Sequence, residues 1–330
     1  MDLRLVFLGT AGAVPTVDRG PSGLLIIRGG ERILVDCGEG TQRQLMRSVG
    51  LGRIGTVLLT HLHGDHYLGL PGLFKTLSLQ GREETLRLFG PPGLEEMLYV
   101  AQRMFGRVQF PVDVAEVNGG VAWQGSGYAL RTIRTEHGTP SLAWALEEEW
   151  RPGRFHPEKA IALGVEPGPH FRLLQMGHSV VLDSGAVVEP EQVMDEPRPG
   201  RKIVISGDTR PTGSLVNLAR GASVLVHDAT FTEVEKARAV ETRHSTAREA
   251  AETAAAAGVG LLVLTHVSSR HGWRELTSEA RALFPRSVLP SDLDHVVVPF
   301  PEKGLPERVR AADVEHPRAR EDWPEAAKPV

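Results

Sequence analysis

Thr60-His61-Leu62-His63-Gly64-Asp65-His66 is the stretch whose residues decide the fold. Four side chains able to hold a metal, His61, His63, Asp65 and His66, fall close together in it. Before them, Thr56-Val57-Leu58-Leu59 is an apolar run that reads as a buried strand. After them, the segment from Leu68 to Leu79 reads as a turn leading into a helix. Two residues apart on extended backbone, His61 and His63 point their imidazoles the same way. A turn at Gly64 then brings Asp65 and His66 round the same small volume. Imidazole and carboxylate at this density suit zinc, which is usually four-coordinate and keeps one position open when catalytic. The tract is not an exposed polar low-complexity run, because strand and helix patterns enclose it. Nor is it the HExxH motif, in which two histidines share a helical face.

Outward from the tract, the chain alternates strand and helix patterns. Residues 3–8 form a first strand, followed by the glycine-rich turn Gly9-Thr-Ala-Gly-Ala-Val-Pro15. Leu24–Ile27 and Arg32–Asp36 read as a hairpin around Gly29-Gly30. Asp36, at a strand end, is placed to orient a ligand histidine; a capping or turn role is the alternative. Tyr128–His137 alternates apolar and polar residues and ends at a histidine. Residues 147–200 are dense in Pro, Gly and charge and read as an excursion from the core. The core resumes with Lys202–Asp208 and Ser223–Asp228. His244-Ser-Thr246 opens a helix, with Thr246 and Glu249 in capping-box register and Gly258 as its stop. Leu261–Thr265 is a strand that runs into His266. Residues 301–330, rich in Pro, Glu and Arg, lack periodicity and are expected to form a flexible tail.

Four strands thus end in His61, His137, Asp208 and His266. In layered α/β folds, functional groups gather in the crevice at one end of the strands. With the tract, these ends supply seven candidate ligands, enough for two metals sharing one carboxylate. Taken singly, each strand-end residue has a plainer role as a hydrogen-bonded turn residue. Their joint recurrence with the tract is what favours a metal site. Arg43, Arg210 and Arg270 are candidates for phosphate contacts, with solvated surface charge as the alternative.

Composition sets the bounds. The 330 residues are 41% hydrophobic and 24% charged, as in a soluble globular protein. A net charge of −4 gives no global footprint for nucleic acid, although a local patch remains open. The single cysteine, Cys37, excludes an internal disulfide and a thiolate zinc site within one chain. No apolar run is long enough to span a membrane, and the N-terminus reads as a strand rather than a leader. A reducing cytoplasm is the expected setting.

Phe7-Leu-Gly-Thr, Asp36-Cys-Gly-Glu-Gly-Thr-Gln, the histidine tract, Ser206-Gly-Asp-Thr-Arg, His244-Ser-Thr and Thr265-His266 together resemble ribonuclease Z. This is the tRNA 3′-processing endonuclease family of the metallo-β-lactamase superfamily. The resemblance runs in order over roughly residues 1–300. It implies an α/β fold, a four-layer αββα sandwich, with the excursion near Gly164–Pro169 as a tRNA-gripping arm inserted at about 147–200. It also implies two zinc ions: His61, His63 and His137 for one, Asp65, His66 and His266 for the other, and Asp208 bridging. Asp65 would be the general base, His244 would lie near the scissile phosphate, and the chain would form a homodimer acting on precursor tRNA. Three features depart from the family pattern. The loop Pro15–Pro21 lacks the usual lysine and asparagine, His227-Asp-Ala-Thr replaces His-Glu-Ala-Thr, and the arm is acidic. These leave a second expectation open, a phosphodiesterase or arylsulfatase of the same fold acting on a small ester. A non-catalytic metal scaffold is a third possibility, which the full ligand set disfavours.

Overall fold

The computed structural model describes residues 2–314. Two sheets carry the main unit. The first has eight strands in the order Glu307–Val309, His295–Val297, Leu3–Gly9, Gly23–Arg28, Glu31–Cys37, Ile54–Leu58, Leu86–Gly90 and Val112–Glu116. The second has seven, in the order Ser287–Val288, Leu261–Thr265, Val224–Asp228, Lys202–Ile205, Leu142–Glu148, Tyr128–Arg134 and Gly120–Gly125. The hairpin expected around Gly29-Gly30 is present, with Ile26 opposite Ile33.

The burial pattern explains the layering. Strands buried on both faces carry near-continuous apolar runs, and each face needs a partner layer. Phe7, Ile26 and Val35 of the first sheet meet Trp144, Val226 and Val263 of the second in one core between the sheets. The outer face of the first sheet packs Leu34 and Val57 against helix residues Leu45, Leu73 and Phe74. The outer face of the second packs Leu225 and Leu262 against Leu215, Leu276 and an alanine row at 247, 250, 251 and 254. The result is the αββα sandwich. The alanines belong to the helix Ala247–Ala257, which has the expected capping box between Thr246 and Glu249 and ends at Gly258 with φ 62°.

Contacts divide the chain into two compact units, Met1–Glu147 with Arg201 onward, and Glu148–Gly200. The second unit has its own small core of Ala160, Val165, Leu174, Val180, Val188 and Val193. It contains the helices Pro157–Ala162, Pro169–Gln175 and Pro190–Val193, and the hairpin Val180–Val181 with Val187–Val188. At its base the backbones of Arg151 and Arg198 pair at 2.8 and 2.9 Å.

Two expectations need correction. The tail expected to be flexible from residue 301 is structured at its start, because Glu307–Val309 pairs antiparallel with His295–Val297, and Arg308 binds the carboxylate of Asp294. The rest of that segment, 315–330, lies outside the described residues. The strands also stop before their ligand-type residues. They end at Leu58, Arg134 and Ile205, so His61, His137 and Asp208 stand on loops beyond the sheet.

Candidate metal centre

The loops beyond those strand ends are held by bonds other than ladder bonds. The amide of Thr60 donates to Asp36 Oδ1 at 2.8 Å, and the amide of Leu142 donates to the Thr60 carbonyl at 2.8 Å. The amide of Arg210 donates to the Glu136 carbonyl at 2.8 Å. Buried Trp144, on the second sheet, donates its indole N–H to the Leu59 carbonyl at 3.0 Å and so ties the tract to the opposite sheet. Gly64–Tyr67 forms one helical turn, which carries Asp65 and His66. Four non-glycine residues here adopt left-handed backbone, Ala13 and Asp36 at φ 56°, Arg243 at φ 58° and His266 at φ 59°. Such positions are costly and cluster at functional sites.

All seven side chains expected as ligands come together. His61, His63 and His137 form one group and Asp65, His66 and His266 another; within each, one ligand atom per residue lies within 4.8 Å of the others. Asp208 Oδ2 lies between the groups, 3.6 Å from His61 Nε2, 3.5 Å from His66 Nε2 and 3.2 Å from His266 Nε2. Asp65 Oδ2 is 3.4 Å from His66 Nε2 and 3.3 Å from His266 Nε2. His63 Nδ1 faces His61 Nε2 at 3.0 Å and His137 Nε2 at 3.3 Å.

The geometry suits cations. Buried His66 Nε2 makes no hydrogen bond, although two carboxylates lie near it. Its Nδ1 is taken by Asp36 Oδ2 at 2.8 Å, the orienting contact expected of Asp36. Three imidazole nitrogens converge at His63 with no carboxylate between them. Converging lone pairs are satisfied by a cation and by little else. The cluster is therefore a metal-binding site by the chemistry of its donor set.

The electrostatics are divided. Burial works against charge on His66, but Asp208 and Asp36 overcome it and raise the ring well above the ordinary imidazole value. Burial dominates at His61, which is lowered well below that value. Burial would raise Asp208, yet His266, His66 and His61 hold it well below the carboxylate range. Asp65 is likewise lowered against its burial, through hydrogen bonds with His266 and His66.

His244 belongs to the same site by a different attachment. Its Nδ1 lies 2.9 Å from Asp228 Oδ2, and its ring stacks on His266 with centroids 5.0 Å apart. Burial opposes its protonation, but Asp228 outweighs burial and pushes the ring up to about 9. With Nδ1 engaged by a carboxylate, His244 is arranged to hold a proton. Asp228 also accepts from the amides of Thr209 and Ser245, at 3.1 and 3.3 Å.

Some residues escaped the sequence argument. Asp228 was visible there only as a shortened carboxylate, and its grip on His244 was not. Thr60 and Thr230 were passed over, though both carry hydroxyls at strand ends beside ligand-type histidines. Two of the arginines expected at phosphate are used elsewhere. Arg210 is clamped by Glu249, one contact being 2.7 Å, and Arg270 lies 3.5 Å from Glu235. Arg43 stands exposed on the helix Thr41–Arg47.

Comparison with known proteins points to one family. The family model for the beta-lactamase superfamily domain matches residues 31–267. A ribonuclease Z of Methanosarcina acetivorans is 44% identical over 302 residues, covering 90% of this chain and 99% of that protein. A ribonuclease Z of Haloferax volcanii is 51% identical over 277 residues, covering 82% of this chain and 86% of the relative. Among solved structures, human tRNase Z, short form, superposes with a TM-score of 0.67 at 28% identity, over 90% of this chain and 99% of that one. The sandwich, the convergent histidine and aspartate cluster and these relatives together make the chain a member of the ribonuclease Z family within the beta-lactamase superfamily.

Proposed function

We propose that this chain is a zinc-dependent endoribonuclease that removes the 3′ trailer from tRNA precursors and leaves a 3′-hydroxyl on the tRNA. The observation that carries the reading is the convergence of seven ligand-type side chains from both sheets on one mouth, in a chain whose relatives are ribonucleases Z over nearly their full length. His61, His63 and His137 would hold one zinc, Asp65, His66 and His266 the second, with Asp208 between them. When bound, the two ions would supply positive charge for the phosphate oxygens and lower the pKa of a water.

The chain's own groups handle the protons. Asp65 Oδ2, anchored by the Ala13 amide at 3.1 Å, orients the attacking water and takes its proton. The water oxygen bonds to phosphorus as the bond to the tRNA 3′ oxygen breaks. His244, kept protonated by Asp228, donates to that leaving oxygen. The expected result is a single metal-dependent cut at the 3′ trailer junction, lost in Asp65→Ala. A cleavage map on precursor tRNA tests this, and full activity in the variant would refute the role of Asp65. If wild type leaves tRNA uncut while hydrolysing a chromogenic diester, the substrate is a small ester instead.

A precursor-tRNA substrate favours a cytoplasmic setting for the enzyme. The unit Glu148–Gly200 serves as the tRNA-gripping arm, with Gly168-Pro169 opening one of its helices. The active form is a homodimer. What supports this is an apolar face at the helices Leu70–Leu79 and Leu94–Phe105, where Leu68, Val100 and Met104, 55%, 50% and 85% exposed, line one cavity of about 560 Å³. Contiguous exposed apolar surface of this kind marks an interface. Light scattering should find a dimer, and the double variant Val100→Lys, Met104→Lys should run as a monomer. A wild-type monomer at micromolar concentration would refute it. Among the described residues no helix is long and apolar enough to cross a membrane.

A further inference from the structure

We infer that Thr60 and Thr230 are matched positioning residues, each passing the hold of one buried carboxylate to one histidine of the metal centre and fixing which ring nitrogen faces the cation. The inference rests on the reading of the cluster as a metal centre.

The two arrangements have the same parts. On the first sheet, the Thr60 amide donates to Asp36 Oδ1 at 2.8 Å, and its hydroxyl lies 2.9 Å from Asp36 Oδ2 and 3.1 Å from His61 Nδ1. On the second, the Thr230 amide donates to Asp228 Oδ1 at 3.0 Å, and its hydroxyl lies 2.6 Å from the same oxygen and 2.8 Å from His266 Nδ1. Each carboxylate also holds a second ring directly: Asp36 holds His66 at 2.8 Å and Asp228 holds His244 at 2.9 Å. All four of these threonine and aspartate side chains are buried.

Proton counting gives the consequence. A hydroxyl has one hydrogen to donate, and an ionised carboxylate can only accept. Thr60 and Thr230 therefore donate to Asp36 and Asp228. Their remaining lone pairs accept from His61 Nδ1 and His266 Nδ1, which must carry hydrogen. An imidazole that gives one nitrogen to a cation keeps its single N–H on the other, so with Nδ1 held by the threonine it is Nε2 of each ring that is offered to a cation. Those are the atoms that face the centre: His61 Nε2 is 3.0 Å from His63 Nδ1, and His266 Nε2 is 3.2 Å from Asp208 Oδ2. The opposite tautomer would aim an N–H at the same place and exclude a cation. A threonine alone could donate or accept toward the ring; the carboxylate behind it makes the choice. His137 needs no such relay, since its Nδ1 faces a backbone carbonyl, that of Arg243, at 3.0 Å.

The test compares Thr60→Val and Thr230→Val with Thr60→Ser and Thr230→Ser. Valine keeps the shape and the amide bond but loses the hydroxyl. Nitrogen-15 imidazole spectra of the metal-free protein should show His61 and His266 protonated at Nδ1. Thr60→Val should alter His61 most and Thr230→Val His266 most, with smaller changes at His66 and His244, whose Nδ1 atoms lie 3.4 and 3.3 Å from the same hydroxyls. Zinc affinity, measured by competition with a chelator, should fall by about 10- to 100-fold in each valine variant and recover in the serine variants. Wild-type rings that carry no proton at Nδ1, or valine variants with native zinc affinity and native spectra, would overturn the relay. So would serine variants that fold but fail to recover. Expected tautomers in a wild-type protein that binds no zinc would uphold the relay and overturn the metal-centre reading instead.

Discussion

A Cβ added to Gly12 would lie 2.7 Å from the His266 carbonyl oxygen and 2.8 Å from His266 Nδ1. The loop cannot easily back away, because the Gly12 amide donates to the Val267 carbonyl at 3.0 Å and the Val267 amide to the Thr10 carbonyl at 3.0 Å. The glycine-rich turn after the first strand therefore lets a loop pass against a histidine of the metal centre. Gly12→Ala must displace either that loop or the His266 ring, whose Nδ1 meets Thr230. Overpacking of this kind costs about 1–3 kcal/mol. Zinc affinity should drop along with the melting midpoint, and a variant that holds zinc at native affinity would show that the loop yields and the ring does not. From the sequence alone this stretch read only as a glycine-rich turn. Its packing against His266, more than 250 residues away in the chain, depends on how two loops meet, which no local pattern encodes.

At the scale of elements, the tract was legible because four of its ligand-type residues are contiguous and bracketed by a strand and a helix. The strand-end rule found His137, Asp208 and His266, because a strand that runs toward the mouth delivers whatever follows it. What the rule missed was the extra length: His61, His137 and Asp208 sit on loops pinned by Asp36, Trp144 and backbone bonds between sequence-distant segments. The arm was legible as a change in composition, and its insertion point has a structural reason. Leu142–Glu148 and Lys202–Ile205 are neighbouring antiparallel strands, with Glu147 opposite Lys202. Excising 149–199 and closing the gap with a short glycine turn should therefore leave that pairing intact. The unit Glu148–Gly200 holds nine carboxylates against five lysines and arginines, so a grip on RNA would have to come from particular residues such as Arg172 and not from net charge. In the excised variant, KM for precursor tRNA should rise by roughly tenfold or more while hydrolysis of a chromogenic diester stays near wild type. Loss of both activities together would mean that the arm supports the fold, and loss of neither would remove its role in binding.

For the whole molecule, a metal held by this cluster would fasten the two sheets together. His61, His63, Asp65 and His66 follow a strand of the first sheet, and His137, Asp208 and His266 follow strands of the second. The folded chain gathers these groups and the unfolded chain does not, so a metal ion such as the proposed zinc would bind one state and stabilise it by mass action. Each ion held only by the folded state adds about 1.4 kcal/mol for every tenfold rise in free zinc above its dissociation constant. The melting midpoint should therefore climb linearly with the logarithm of zinc concentration, and the slope counts the ions. His137→Ala removes a member of one triad and should roughly halve that slope. Asp208→Ala touches both groups and should flatten it. The unit Glu148–Gly200 contributes none of these side chains, so any separate transition it shows should stay fixed as zinc is raised. A wild-type midpoint independent of zinc would mean that the cluster is held by its own ion pairs, such as Asp36 with His66 at 2.8 Å. A full slope surviving in His137→Ala would mean that one ion, and not two, fastens the sheets.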